Sequence, residues 1–236
     1  MDGDSLKEIY LGSDNGNLYG FNSFGEILDG FPFDAGVDIR SSVAIGDLDN
    51  NGLDELIFGS NQGRLYILNR EGEQENSFYA PGIIWGAPAL ADLDNDEDLE
   101  IIFTTENSNN GDLYAIHHDG ELVEGFPVDI DEKMMVGPAV GDLEGDGALD
   151  IVIVTWGKNI IAIDANGNLK QGFPFLTTKR FNSPATLADL DNNGTLEIIA
   201  GNDDGNLHVL NHQGLEIAFF DTGDDIRGGI SIADLD

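Results

Sequence analysis

The chain has 236 residues, 41% of them hydrophobic, and contains no cysteine. This composition supplies a sizeable core, which excludes an intrinsically disordered chain, and the lack of cysteine excludes disulfide and thiol chemistry. With 45 acidic against 10 basic side chains, the formal net charge of −35 opposes binding to nucleic acid or anionic membranes and favours bound cations.

At the N-terminus, Met1 is followed directly by "DGDSL", without the basic and apolar regions of a leader. No apolar run reaches the ~18 residues that a membrane-spanning helix needs. We therefore expect neither a signal peptide nor a membrane segment in this chain.

An acidic motif recurs along the chain with a period of 45 to 50 residues, as the spacing of its first aspartates shows. These aspartates are Asp47, Asp92, Asp142, Asp189 and Asp234. A period of this length is typical of the blades of a propeller.

Each period contains four short apolar segments separated by turns. In the last complete period, residues 196–202 are typical of a strand buried on both faces, and residues 206–211 and 215–220 follow after glycine-containing turns. A fourth segment leads into the next acidic motif, and helical periodicity is nowhere sustained. The pattern predicts an all-β fold, a β-propeller of four-stranded blades.

The two ends of the chain match complementary parts of one repeat. Residues 228–236, "GGISIADLD", resemble an innermost strand and the start of the motif, while residues 2–8 resemble its remainder. We expect a single domain, residues 1–236, with five blades, the first of them closed by the C-terminal strand. A closed ring would be a monomer; the alternative is a piece of a longer array.

The acidic motif carries the predicted chemistry. In the first acidic loop, residues 47–55, oxygen ligands stand at alternate positions, and Gly52 allows the sharp turn between them. Such a wrapped set of hard oxygen ligands suits Ca²⁺. The predicted ligands of this loop are Asp47, Asp49, Asn51, the Leu53 carbonyl and Glu55.

Three further loops and one split loop repeat the pattern, so we expect four or five calcium ions. The second loop (92–100) offers Asp92, Asp94, Asp96, the Asp98 carbonyl and Glu100. The third (142–150) offers Asp142, Glu144, Asp146, the Ala148 carbonyl and Asp150, and the fourth (189–197) offers Asp189, Asp191, Asn193, the Thr195 carbonyl and Glu197. The split fifth, residues 234–236 with 2–8, offers Asp234, Asp236 or Asp2, Asp4, the Leu6 carbonyl and Glu8.

The acidic loops allow two other interpretations, an EF-hand and a set of solvated turns. An EF-hand is excluded, because its twelfth position is a glutamate between helices, whereas here that position falls inside a strand. Solvated turns rich in aspartate and asparagine are common singly, but four copies in register are not. Glu97 replaces the turn glycine in the second loop and Glu144 is a longer ligand in the third, so weaker sites are expected there.

The segments "SSVAIGDLDNNGLDELIFGS", "GAPALADLDNDEDLEIIFTT", "VGPAVGDLEGDGALDIVIVT" and "NSPATLADLDNNGTLEIIAGN" resemble FG-GAP/VCBS repeats. The resemblance extends over the whole chain. It implies a calcium-bearing propeller of the kind found in integrin α subunits, and an exported, extracellular or cell-surface parent protein. Such repeats also occur in bacterial polysaccharide lyases, adhesins and lectins, so the resemblance implies no particular reaction.

A variable position precedes each acidic loop by seven residues, where a propeller has one mouth of its channel. We consider it a ligand-facing ring, with arginine for anions or carboxylates and tryptophan for stacking. The alternative is that these side chains only fill the channel. The five residues are Arg40, Trp85, Met135, Asn182 and Arg227.

Three "GFP" segments, residues 30–33, 125–128 and 172–175, are expected beyond the outer strand, with their phenylalanines packed between blades. The four histidines are expected to be packed or solvated, and no nucleophile, phosphate-loop or zinc motif occurs. We therefore expect no enzyme but a noncatalytic calcium-binding binding or scaffold module of an exported protein. The alternatives are a lectin or adhesin that recognises a glycan or protein, and an auxiliary domain of a polysaccharide-degrading enzyme.

Overall fold

The structure is a computed structural model, and it describes residues 6–235. In this part of the chain all regular secondary structure is β, in five antiparallel sheets, which confirms the all-β prediction. Among the same residues there is no helix long and apolar enough to span a membrane.

The strands follow one another within each sheet in chain order. Sheet 1 contains β1 (Ile9–Gly12), β2 (Asn17–Phe21) and β3 (Phe33–Asp34), and sheet 2 contains β4 (Ala44–Gly46), β5 (Glu55–Gly59), β6 (Arg64–Leu68) and β7 (Gln74–Tyr79). Sheet 3 contains β8 (Ala89–Ala91), β9 (Glu100–Thr104), β10 (Asp112–Ile116) and β11 (Val128–Asp129). Sheet 4 contains β12 (Ala139–Gly141), β13 (Asp150–Val154), β14 (Asn159–Asp164) and β15 (Phe175–Leu176). Sheet 5 contains β16 (Thr186–Ala188), β17 (Glu197–Gly201), β18 (Asn206–Leu210) and β19 (Glu216–Asp221).

Each acidic loop joins the first two strands of a sheet. The first loop leaves β4 at Gly46 and enters β5 at Glu55, and these two residues are paired across the strands. The second strand of sheets 2 to 5 is buried along its whole length, as its uninterrupted apolar run predicts. The last position of each loop therefore lies at the start of a rigid, buried strand.

The described residues divide into two compact units, with the boundary between Ile130 and Asp131. In the first unit, one core cluster joins sheet 1 to sheet 2 and includes Leu18, Phe58 and Tyr66, and another joins sheet 2 to sheet 3. In the second unit, a single cluster joins sheets 4 and 5. The prediction of one domain over residues 1–236 stays a prediction.

Two details of the "GFP" segments bear on the sequence-based expectations, and one of them differs. The first detail is the place of the "GFP" segments, which precede the outer strand and do not lie beyond it, because their last residues, Phe33, Val128 and Phe175, begin β3, β11 and β15. The packing of their phenylalanines agrees with the expectation, since Phe31 and Phe173 are buried in the clusters between neighbouring sheets of their own units.

The expected closure of sheet 1 by the C-terminal strand is not confirmed. Within residues 6–235, sheet 1 has three strands, and residues 222–235 belong to no strand. This segment instead follows sheet 5, where Ile226 N–H donates to the Asn202 carbonyl at 3.0 Å and Thr186 Oγ1 donates to the Ile230 carbonyl at 3.1 Å.

Candidate metal centres in the acidic loops

The first acidic loop is folded around the carboxylate of Asp47. Its two oxygens accept the backbone N–H groups of Asn51 and Gly52 at 2.9 and 2.8 Å. Asn50 and Gly52 have positive φ values of 53° and 89°, which asparagine and glycine tolerate best. The turn chemistry thus directs side-chain oxygens towards the inside of the loop.

The same bonds recur in the other three described loops. In the third loop, hydrogen bonds from backbone N–H groups, chiefly that of Gly147, hold the pKa of Asp142 below its usual value. In the second loop the corresponding bonds to Asp92 are longer, both 3.2 Å, and Glu97 adopts a φ of 78° where the other loops have glycine. The second loop is therefore the most strained of the four.

The ninth position of each loop is a buried carboxylate. Glu55, Glu100 and Glu197 are 5%, 0% and 2% exposed, and each accepts the N–H of the residue at the second position of its loop. Burial raises the pKa of Glu55 and of Glu100. A buried anion is costly unless a cation or hydrogen bonds compensate it, so this position favours a bound cation.

Three loops bring at least three carboxylates together, with one oxygen from each within 4.8 Å of the others. This donor set fits a divalent cation of the calcium type. The groups are Asp47, Asp49 and Glu55 in the first loop, Asp92, Asp94 and Asp96 in the second, and Asp189, Asp191 and Glu197 in the fourth.

In the third loop a lysine ammonium stands beside the ligand candidates. Lys170 Nζ lies 2.6 Å from Asp150 Oδ1 and 2.5 Å from Glu144 Oε2, and the lysine side chain is only 11% exposed. Although burial opposes it, the hydrogen bonds to these two carboxylates raise the pKa of Lys170. The third loop thus contains an internal cation at the oxygens of its third and ninth positions.

The predicted split fifth site cannot be placed in the same way, because Asp2, Asp4 and Asp236 lie outside the described residues. Asp234 falls in the segment that belongs to no strand, and Glu8 directly precedes β1. The fifth site stays a prediction.

The members of the proposed ring in the first unit contact each other. The guanidinium of Arg40 lies 5.2 Å from the ring centroid of Trp85 and forms a two-point ion pair with Asp14, at 2.7 and 3.2 Å. The indole Nε1 of Trp85 is buried and has no hydrogen-bond partner in the described part of the chain.

In the second unit, two ring members surround Asp203. Asn182 and Arg227 donate to its Oδ1 at 2.7 and 3.2 Å, and Arg180 donates to its Oδ2 at 2.7 Å. Against burial, these donors hold the pKa of Asp203 below its usual value. Met135, the fifth ring member, is partly buried.

A tryptophan that the sequence analysis did not single out completes this arrangement. Trp156 donates to Asn182 Oδ1 at 3.0 Å, and its ring lies 4.5 Å from Lys133 Nζ and 4.2 Å from the Arg180 guanidinium. Comparison of the repeats could have identified this residue, because Trp156 stands in the turn where another period has Asp14. Lys170 and His117 were missed as well, since only the folded register brings them to the acidic loops.

The model of the FG-GAP-like repeat matches residues 47–103, 92–153 and 142–200. These matches overlap at the second and third acidic loops and together cover more than half of the chain. The chain therefore belongs to the FG-GAP-like repeat family. No curated protein matches it.

Solved structures with the same fold include the biofilm matrix protein Bap1 of V. cholerae, with a TM-score of 0.71 and 19% identity over 94% of this chain and 37% of that one. The C-terminal domain of Pseudomonas aeruginosa PilY1 has a TM-score of 0.70 and 15% identity over 89% and 58%. The quinohemoprotein alcohol dehydrogenase of Comamonas testosteroni has a TM-score of 0.65 and 16% identity over 96% and 44%. The chain thus spans less than two thirds of each of these chains, and the likeness concerns the fold alone.

Proposed function

We propose that this chain is a noncatalytic, cation-binding propeller module of an extracellular or cell-surface protein. The observation that carries the proposal is that three acidic loops each bring three carboxylates together, with one oxygen of each within 4.8 Å of the others. Membership in the FG-GAP-like repeat family supports it, as does the likeness of the fold to a biofilm matrix protein and to PilY1.

Calcium is the ion that best suits the first and fourth loops, because their donors are all oxygen. Each ion would offset two of the 35 net negative charges. Extracellular modules bind calcium with a dissociation constant of about 10⁻⁴ to 10⁻³ M, a range that exterior calcium reaches. Binding to the folded state alone would then stabilise the module.

Native mass spectrometry of the full chain in millimolar calcium tests this proposal. We expect calcium on the wild type, and one ion fewer when Asp49 is replaced by alanine, because that change removes a ligand of the first loop. Glu124→Ala is the matched control, since Glu124 is exposed and lies outside the loops. A wild-type chain without specific calcium, or equal loss in both variants, would contradict the proposal.

A second candidate, recognition of an acidic glycan or protein, is favoured by the tryptophan–cation contacts. Trp156 with Lys133 and Arg180 in one unit, and Trp85 with Arg40 in the other, combine a flat apolar face with positive charge in a strongly acidic chain. Aromatic faces and guanidinium groups suit sugar rings and carboxylates.

Titration of an acidic oligosaccharide such as oligogalacturonate, followed by calorimetry, tests this second candidate. We expect Trp156→Ala to weaken binding at least tenfold, whereas Phe24→Ala, at an exposed aromatic side chain in the turn after β2, should leave it unchanged. The absence of binding across a panel of acidic glycans and surface proteins would count against it.

A further inference from the structure

We propose that the second acidic loop is a mixed imidazole–carboxylate site that binds a transition metal of the Mn²⁺, Co²⁺ or Zn²⁺ class, with His117 as its nitrogen ligand. The other two ligands are Asp94 and Glu100, and one donor atom from each of the three residues lies within 4.8 Å of the others. This inference rests on the proposed function only in that the acidic loops bind cations.

The strand register brings His117 to the loop. β9 and β10 pair antiparallel with Ile101 opposite Ile116, so the residues one step beyond, Glu100 and His117, face each other across the two strands. His117 Nδ1 lies 3.0 Å from Glu100 Oε1. Two ligand atoms at this separation fit adjacent positions around one small metal ion, with bonds of about 2.0 to 2.2 Å.

In the other four sheets, the residue at the position of His117 has a different role, which is to hold the hairpin turn. There the residue is asparagine or aspartate, and its side-chain oxygen accepts two backbone N–H groups of the hairpin turn, as Asn69 does from Glu71 and Glu73 at 3.1 and 2.9 Å. This local bonding is the ordinary role of such residues in turns. The other equivalents are Asn22, Asp164 and Asn211.

In sheet 3 the turn is held by other groups, which leaves the imidazole available to the loop. Asp119 Oδ1 accepts the N–H of Glu121 at 2.9 Å, and Asn76 of sheet 2 donates to the Asp119 carbonyl at 2.7 Å. The side chain of His117 is therefore not needed to hold the turn, and it lies against Glu100, which is fully buried.

The donor chemistry then separates this loop from the first and fourth. Calcium takes oxygen ligands, whereas imidazole favours Zn²⁺, Ni²⁺ and related ions, and carboxylates accept either class.

Calorimetric titration of Zn²⁺ into the full chain, in millimolar calcium, tests the inference. We expect His117→Asn to weaken the tightest zinc binding by more than about tenfold, because it removes a ligand. Asparagine is the residue at equivalent turns, so this variant should fold. His118→Asn is the matched control on the same turn, since His118 Nδ1 lies 3.4 Å from Asp98 and outside the cluster.

A second variant, which introduces a histidine instead of removing one, tests the inference independently. Asn69→His places an imidazole opposite Glu55 in the first loop and should add a second zinc ion at the expense of one calcium ion. Nitrogen-15 spectra of the histidine rings should show that zinc shifts the resonances of His117. Equal zinc affinity in wild type and His117→Asn would overturn the inference.

The calcium count of the same samples, measured by native mass spectrometry, distinguishes the two proposals. If the first and fourth loops hold calcium and zinc affinity is independent of His117, the inference is wrong and the proposed function stands. If no loop holds calcium but zinc binding still requires His117, the inference stands and the calcium proposal is wrong.

Discussion

At the scale of single residues, Lys170 decides the character of the third acidic loop. Its ammonium contacts the side chains at the third and ninth positions of that loop, Glu144 and Asp150. In sheet 3 the corresponding residue is Val123, which is apolar and buried, and the second loop has no such ammonium. One residue in the connection between β14 and β15 therefore supplies a positive charge at the oxygens where we propose a metal ion in the other loops.

We predict that Lys170→Val adds one calcium ion to the chain. Without calcium, Asp150 would be buried without its partner, and we expect the free energy of unfolding to fall by about 3 to 5 kcal/mol. Calcium should restore most of this loss, because the loop then offers oxygen donors at the same positions as the fourth loop, free of the ammonium. Urea denaturation with chelator and with calcium measures both effects, and Lys179→Val, at an exposed lysine, is the control. A loss of stability that calcium does not reduce would contradict the prediction.

A second prediction at this scale concerns the backbone of the second loop. Glu97 has a φ of 78°, where a side chain costs about 1 to 2 kcal/mol relative to the usual conformation. We expect Glu97→Gly to raise the free energy of unfolding by up to about 1 kcal/mol, since glycine also loses chain entropy. Glu97→Gln removes the same charge but keeps the strain, and equal stabilisation by both variants in urea denaturation would assign the effect to charge.

At the scale of elements, the outer strands are of two kinds. Sheets 2 and 5 end in six-residue strands with an irregular register, whereas sheets 1, 3 and 4 reach a two-residue strand through a "GFP" segment. In the second kind the buried phenylalanine substitutes for strand pairing as the anchor of the segment. Gly30 of the first segment allows a close backbone approach, because a Cβ there would lie 1.8 Å from the Glu71 carbonyl oxygen.

We therefore predict that Phe31→Ala lowers the free energy of unfolding by about 3 to 5 kcal/mol, because it opens a cavity in the cluster between sheets 1 and 2. Phe24→Ala, at a side chain 78% exposed in the turn after β2, should change it by less than about 0.5 kcal/mol. Urea denaturation followed by tryptophan fluorescence measures both, and similar values for the two variants would refute the anchoring role.

The elements were the most predictable level of this molecule. The period of the acidic motif and the buried apolar runs place β5, β9, β13 and β17 within a residue or two, because burial on both faces leaves a continuous signal. The partners of the acidic loops were less predictable. His117 directly follows β10, and Lys170 lies between β14 and β15. Their approach to the loops depends on a cross-strand register that periodicity alone does not specify.

At the scale of the whole molecule, the dominant feature is the excess of acidic over basic side chains. The formal net charge of −35 is spread over acidic loops and exposed turns, and mutual repulsion of this size opposes compaction. Bound divalent cations and mobile salt ions both reduce that repulsion, so each should partly substitute for the other.

We predict that the melting temperature in chelator rises markedly with sodium chloride between 0.01 and 0.5 M, where the Debye length falls from about 30 Å to a few Å. In millimolar calcium the midpoint should be higher and its dependence on salt smaller. At about 1 to 10 times its dissociation constant, the range that millimolar calcium reaches, each bound calcium ion would add about 0.4 to 1.4 kcal/mol. Scanning calorimetry at low and at high salt, each with chelator and with calcium, measures the melting temperature. A melting temperature insensitive to both chelator and salt would contradict this account.

The lysine in the third loop also bears on how the chain folds. A calcium ion has to be captured from solution, and its availability differs between the inside and the outside of a cell. The ammonium of Lys170 is tethered 20 residues from Asp150 and 26 from Glu144, so its local concentration is the same in every compartment. We therefore expect sheet 4 to form whether or not calcium is present, whereas our proposal makes the stability of sheet 5 in the same unit depend on calcium.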